Sequence, residues 1–285
     1  MRVLVTGAGG FIGKHIAEFL WKQGMDVLGT VHRSQETIFP NVVCELSNPL
    51  NLEDNFDVII HAAGKTPTRK GLKREYERQL FCEFKKANVD SMENVINFAR
   101  EKHVPRIIYL STIGVYGQIK DTVVSEDTDK VNLDVYGMTK YMGEMLLHDV
   151  EDIQHISLRM PGVIDVDSSN IWFTNTVDKF RENENVTIYS PDFKTRNFVW
   201  LPDLCSFIER LIYAEKWKYD VVNVACNELV SVREIVDEMK RRTGSNSQII
   251  VEEGTQKPFC LDNKRVLEMG YASISPLKMV KEYCK

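Results

Sequence analysis

Over the first 160 residues, short apolar runs alternate with amphipathic stretches. "RVLVTG" at 2–7 is an apolar run that ends on glycine, a pattern that suits a buried strand. In "FIGKHIAEFLWKQG", Phe11, Ile12, Ile16, Phe19 and Leu20 recur at helical spacing, and Gly24 stands where a helix stop belongs. Further runs at "MDVLGTV", "NVVCEL", "FDVIIHAAG", "RIIYLS" and "HISLRM" predict five more strands. "FDVIIHAAG" is apolar at almost every position, which fits a strand covered on both faces. Residues 72–102 are charged and helix-forming, with an apolar stripe at Val89, Met92, Val95, Ile96 and Ala99, and 136–150 reads as another helix. Strands alternating with helices predict an α/β fold with a doubly wound parallel sheet.

After "MPG" at 160–162 the strands shorten and the alternation loosens. "SVREIVDEMKRRTG" predicts an amphipathic helix with Ser231 as N-cap, Glu234 completing a capping box, and Gly244 as its stop. The expected division is a dinucleotide-binding domain over 1–160 and a smaller substrate lobe over 161–285. Parts of that lobe, about 196–225, are expected to pack back on the first domain.

Composition narrows the class. The 285 residues are 43% hydrophobic and 27% charged, enough for one large core or a core with a smaller lobe. A net charge of −5 opposes a nucleic-acid-binding stripe. No apolar run approaches the roughly 20 residues a bilayer crossing needs, and Met1 leads into a strand without a signal-like segment. A cytoplasmic protein without membrane partners is expected. The six cysteines lack C-x-x-C spacing and read as free thiols. The six histidines lack ligand spacing, so no metal site is expected.

Chemistry enters at the ends of the strands. "TGAGGFIG" places Gly7, Gly10 and Gly13 between the first strand and first helix. Gly7 allows a tight turn, Gly10 lets backbone approach a pyrophosphate, and Gly13 lets the helix pack closely, while the helix N-terminus favours an anion. This predicts dinucleotide binding. The second strand ends "GTVHRSQ", with His32 and Arg33 where NAD sites usually carry an acid. An arginine there suits a 2′-phosphate, so NADP(H) is favoured and NAD(H) stays open. "STIGVYG" ends the fifth strand on the hydroxyls of Ser111 and Thr112, at the sheet edge where ligands bind. "DVYGMTKYMGE" puts Tyr136 and Lys140 on one helix face, and a nearby ammonium lowers the pKa of a phenol. Tyr136 is thus a candidate proton donor and acceptor.

With "TGAGGFIG", "HAAG", "YLSTIGVYG", "YGMTK" and "RNFVWLPD" in this order, the chain resembles the extended short-chain dehydrogenase/reductase superfamily, in its NAD-dependent epimerase/dehydratase branch. The resemblance implies that Tyr136 is the catalytic acid/base, that Lys140 holds the nicotinamide ribose, and that Thr112 binds the reacting oxygen. It implies that Phe11 and Ile12 offer backbone N–H groups to the pyrophosphate. Glu45 and Leu46 would flank the adenine, and Ala62, Ala63 and Gly64 would line the cofactor. Asn88 would sit near it, and Pro161 would flank the nicotinamide. Arg196 would contact the diphosphate of a nucleotide sugar. Lys65 and Thr66 follow the "HAAG" strand, where the family often places substrate contacts. The basic stretch 65–79 reads as a solvated helix start or as a flap presenting Lys65, Arg69 or Lys73.

Ile113 and Gly114 occupy the positions where the family's 4,6-dehydratases carry an Asp-Glu pair. Neither can transfer a proton, which argues against dehydration. Reduction of a nucleotide-activated 4-keto-6-deoxy sugar is favoured, with a nucleotide-sugar 4-epimerase as the alternative. A carbonyl reductase and a non-catalytic NADP-binding sensor are less favoured. By analogy, a homodimer through helices 84–101 and 136–150 is expected.

Overall fold

The computed structural model describes residues 1–67, 77–169, 171–254 and 257–285. Arg69 and Lys73 of the expected flap lie outside the described residues. In chain order come β1 (Arg2–Thr6), α1 (Phe11–Lys22), β2 (Asp26–Val31), β3 (Asn41–Val43), β4 (Val58–His61), α2 (Glu77–Phe84), α3 (Ser91–Glu101) and β5 (Arg106–Thr112). Next are β6 (Val123–Val124), α4 (Val135–His148), β7 (Gln154–Met160), β8 (Val163–Ile164), α5 (Trp172–Arg181), β9 (Val186–Tyr189), β10 (Lys194–Thr195), β11 (Val199–Trp200) and α6 (Leu201–Tyr213). The chain closes with β12 (Val221–Asn223), β13 (Val230–Ser231), α7 (Val232–Thr243), β14 (Ile249–Glu252), β15 (Cys260–Leu261), α8 (Lys264–Glu268) and α9 (Pro276–Tyr283).

Contacts divide these elements into two compact units. The first comprises Met1–Gln118, Lys130–Arg159 and Ile208–Val222, and the second Ile119–Asp129, Met160–Phe207 and Asn223–Lys285. A seven-stranded sheet of order β12-β7-β5-β4-β1-β2-β3 dominates the first. The pairings β1–β2, β1–β4, β2–β3 and β4–β5 are parallel. This is the doubly wound Rossmann arrangement expected from the alternating pattern. The strands are buried on both faces because their residues are apolar on both, as in Val3, Leu4 and Val5. Leu4, Ile59, Ile107 and Tyr109 of the sheet pack with Met92, Val95 and Ala99 of α3 and Leu147 of α4. The apolar stripe of α3 is therefore filled from within the chain. On α4, by contrast, Met138, Met142 and Met145 stay exposed.

The long charged helix expected over 72–102 is interrupted. Residues Lys85–Asp90 open into a π-helical turn between α2 and α3, a widening often found beside functional residues. Among the described residues, no helix is long and apolar enough to cross a membrane. All six cysteines are free.

The second unit is built from two-stranded pairs, β8–β11, β9–β14, β10–β13 and β6–β15. Its core joins Phe173 and Phe180 of α5, Ile235 and Met239 of α7, and Met279 and Val280 of α9. α7 begins with the expected capping box. Ser231 Oγ accepts the Glu234 N–H at 3.2 Å, and the Glu234 carboxylate accepts the Ser231 N–H at 2.9 Å. Gly244 closes the helix with φ of 67°. Replacing Ser231 by alanine strands the first N–H groups of α7. We expect a loss of about 1 kcal/mol in the urea unfolding free energy, while Ser206→Ala, on the exposed side of α6, costs less.

Candidate active site

A cleft of about 510 Å³ opens at the C-terminal edge of the sheet in the first unit. Its floor is the β1–α1 turn. Gly7 has φ of 67°, and a Cβ there would stand 2.6 Å from Ala63 Cα. A Cβ on Gly13 would stand 2.3 Å from the Gly7 carbonyl oxygen. Only glycine lets the chain turn and α1 press onto it. Gly10 is the N-cap of α1 and no side chain caps the helix, so the N–H groups of Phe11 and Ile12 remain for an anion. Thr30 Oγ1 fastens the turn by accepting the Gly7 N–H at 3.3 Å. Ala62, Ala63 and Gly64 line the wall beyond β4. Backbone donors with no side chain in front of them fit the pyrophosphate of a dinucleotide.

At the far end of the cleft, β2 delivers His32 and Arg33, as expected. An acid stands there too. Glu45 follows β3, and its carboxylate lies 3.4 Å from His32 Nε2. Hydrogen bonds from Ser47, helped by Lys86 and His32, hold Glu45 below the usual carboxylate range. Leu46 beside it is buried in the core. The acid missing from the end of β2 is thus supplied from the neighbouring strand.

The hydroxyl-ended strand leads to the chemistry. Thr112 caps a 3-10 turn, Ile113–Tyr116, with its Oγ1 accepting the Gly114 N–H at 3.1 Å. Asp134 caps α4 by accepting the Gly137 N–H at 2.7 Å. A Cβ on Gly137 would stand 2.1 Å from the Gly114 oxygen, so the first turn of α4 rests directly on the 3-10 turn. This contact brings Tyr136 beside Thr112: a Cβ on Gly114 would stand 3.5 Å from Thr112 Oγ1 and 3.6 Å from Tyr136 Cδ1. The Phe84 ring packs edge-on to Tyr136, 6.0 Å between centroids.

Lys140 follows one helical turn later and is buried. Its Nζ donates to the Leu110 carbonyl at 2.7 Å and lies 4.1 Å above the centre of the Tyr109 ring. It also comes within 3.7 Å of where a Gly64 Cβ would be, beside the cleft wall. Burial brings its pKa down to about 7, and Glu144 opposes that fall. The expected lowering of the Tyr136 pKa is corrected here. Burial raises it, Asp134 adds to the rise, and the bond with Thr112 only partly offsets them. Lys140 is turned toward Leu110, and burial weakens it as a positive neighbour.

Ser111 is buried, and its hydroxyl donates to the Glu144 carboxylate rather than standing free for a substrate. Asn88, carried by the π-helical turn, stands beside the cleft wall, its Oδ1 2.9 Å from where a Gly64 Cβ would be. It accepts the Lys65 N–H at 2.7 Å and donates to Thr139 Oγ1 at 3.0 Å, tying the loop after β4 to α4. Lys65 lines the cleft but is paired with Glu83, and Thr66 is exposed. Pro161 and Arg196 belong to the second unit, where Arg196 donates to Asn263. Sequence reasoning passed over Glu144 and Arg159. Their signals were an acid four residues after Lys140 and an arginine inside the apolar run "HISLRM".

A family model described as the NAD dependent epimerase/dehydratase family matches residues 3–225. The chain belongs to that family. Its members are enzymes of the short-chain dehydrogenase/reductase type, as the motif order implied. A Methanocaldococcus jannaschii protein with a provisional UDP-glucose 4-epimerase name is 26% identical, covering 97% of this chain and 94% of the relative. A Streptomyces dTDP-4-dehydro-6-deoxy-D-allose reductase is 25% identical, covering 82% of this chain and 78% of its own. The crystal structure of a Bacillus cereus UDP-glucuronic acid 4-epimerase with NAD superposes with a TM-score of 0.80. It covers 100% of this chain and 98% of that one at 22% identity, a likeness of fold.

Below the cleft, His61 is fully buried, with Nδ1 2.8 Å from Thr6 Oγ1 and its ring stacked on Tyr109. Burial first, and Lys140 second, bring its pKa down to about 3. Between that value and the ordinary 6.5, the unfolded chain binds a proton that the folded chain does not, so stability falls as pH drops through this window. We expect the unfolding free energy to lose roughly 2 kcal/mol through this residue between pH 7 and pH 5. His61→Gln should flatten that part of the dependence in urea titrations.

Proposed function

We propose that this protein is a nucleotide-sugar 4-epimerase that works with a retained NAD. The observation that carries the redox chemistry is the placement of Thr112 and Tyr136 side by side against Gly114 at the sheet edge, with Lys140 buried one turn away. The epimerase reading draws support from the 4-epimerase names among its relatives and structural neighbours. Preference for NAD over NADP draws support from Glu45. An ionised carboxylate at the end of the cleft repels a 2′-phosphate and can accept from a ribose hydroxyl. Gly7, Gly10, Phe11 and Ile12 would hold the pyrophosphate, and Ala62, Ala63 and Gly64 would flank the rest.

When bound, the nicotinamide supplies the site with an acceptor and donor of hydride. The chain supplies alignment and proton transfer. Thr112 holds the sugar's 4-oxygen. Tyr136, as phenolate, takes the proton of that hydroxyl when the carbon is oxidised and returns it when the ketone is reduced on its other face. Lys140 as an ammonium stabilises the phenolate. Lys65 and Thr66, after β4, would meet the substrate. Ile113 and Gly114 hold no acid or base, so a keto sugar formed here would not lose water. The same reading carries a cytoplasmic homodimer through 84–101 and 136–150, with the exposed methionines of α4 as its contact.

A 4-ketoreductase is the second reading, favoured by Arg33 in the cleft wall and by the Streptomyces relative. The two separate in one assay. We expect UDP-hexoses to equilibrate with their C4 epimers by NMR without net change in nicotinamide absorbance. Tyr136→Phe should lower kcat by a factor of about 100 or more while NAD still binds. Stoichiometric consumption of NADPH by a 4-keto sugar would establish the reductase instead.

A further inference from the structure

We propose that Glu144 is a positioning residue for proton transfer at Tyr136, its buried carboxylate one helical turn away holding the charge on Lys140. The inference rests on the reading of Tyr136 and Lys140 as the proton-transfer pair. Glu144 lies one helical turn beyond Lys140 on the same face of α4, and is buried. Arg159 of β7, 4% exposed, grips it with two nitrogens. Nε lies 3.1 Å from each carboxylate oxygen, and Nη2 lies 2.7 Å from Oε2. Arg159 Nη1 also donates to the Tyr116 hydroxyl at 3.1 Å, and Ser111 donates to Glu144.

Each end of this network touches an element that carries the site. Ser111 precedes Thr112 on β5, and Tyr116 closes the 3-10 turn on which α4 rests. Packing alone does not require charge here, since an apolar cluster of similar volume serves a core at least as well. What a carboxylate adds is a field at Lys140. The groups facing Lys140 and Tyr136 are Glu144 on α4, Arg159 on β7, Tyr109 on β5, Tyr116 in the turn, His61 on β4 and Asp134 at the α4 N-cap. His61 is neutral above about 3, and burial holds Tyr109 far above neutrality. That leaves Glu144 as the acid acting on the lysine, because Asp134 acts on Tyr136. Without the carboxylate, burial acts on Lys140 unopposed and drives it further toward its neutral form. A neutral lysine cannot hold a phenolate whose formation burial already opposes.

The sign of the effect follows. Activity that needs Lys140 protonated falls as pH rises through its pKa, and losing Glu144 moves that fall to lower pH. For Glu144→Gln we expect kcat to drop about tenfold or more near neutral pH, with KM and the NAD Kd within about twofold of wild type. The alkaline limb of kcat should move down by about one pH unit. Glu144→Asp, which keeps the charge, should restore the limb even at reduced kcat. The double variant Glu144→Gln, Arg159→Gln removes both partners of the buried ion pair and carries the same test where the single variant does not fold. Its alkaline limb should also lie below that of wild type. A wild-type limb in either folded glutamine variant, with Tyr136→Phe inactive, overturns the role of Glu144 and leaves the function standing. Wild-type turnover by Tyr136→Phe overturns the function itself.

Discussion

The first turn of α4 meets the 3-10 turn after β5 through backbone alone, and the site depends on that meeting. No side chain fits between Gly137 and the Gly114 carbonyl. The opposite flank is closed as tightly, because Gly117 has φ of 62° and a Cβ there would lie 2.2 Å from the Val131 oxygen. Asp134 fixes where the helix begins, so the phenol of Tyr136 arrives at Thr112 without a flexible lever in between. Thr112 and Tyr136, from two different elements, are thereby held side by side against Gly114. That is the preorganisation that proton transfer to a bound oxygen needs.

Holding these groups so closely also buries them, and burial works against the chemistry. It raises the Tyr136 pKa and brings that of Lys140 down, so each is pushed toward its neutral form. A neutral phenol beside a neutral amine is a poor base. The bond from Thr112 favours the phenolate, and the carboxylate of Glu144 favours the ammonium. The polar groups under the site thus offset a cost that the tight packing creates.

Much of the fold was legible because its signals are local. The strand runs, the glycine turn, the hydroxyls at the end of β5 and the Tyr-Lys spacing each lie within a few residues. The capping box at Ser231 and Glu234 was legible for the same reason. What escaped depends on pairs brought together in space. Ser111 looked like a substrate group because its strand ends at the sheet edge, yet Glu144, 33 residues later, claims its hydroxyl. Asn88 ties Lys65 to Thr139 across 23 and 51 residues, a pairing that no short window shows. Arg159 sits in a run otherwise read as apolar. Its partner comes from α4, so no window of β7 reveals why a charge is tolerated there.

The cofactor end shows how far such reasoning can mislead. Judged by β2 alone, a His-Arg pair without an acid argues for a 2′-phosphate, and the reductase preference leaned on that argument. Strand order brings a second charge to this end of the cleft. β3 pairs in parallel with β2, so the residues following β3 emerge beside the residues following β2. That neighbourhood places the Glu45 carboxylate against His32. An acid delivered by the next strand faces the same part of the cleft as one carried by β2 itself. The charge at this end of the cleft is therefore a property of the sheet edge, not of the motif. Arg33 remains in that wall, but it shares the wall with an ionised carboxylate, and a 2′-phosphate would have to meet both.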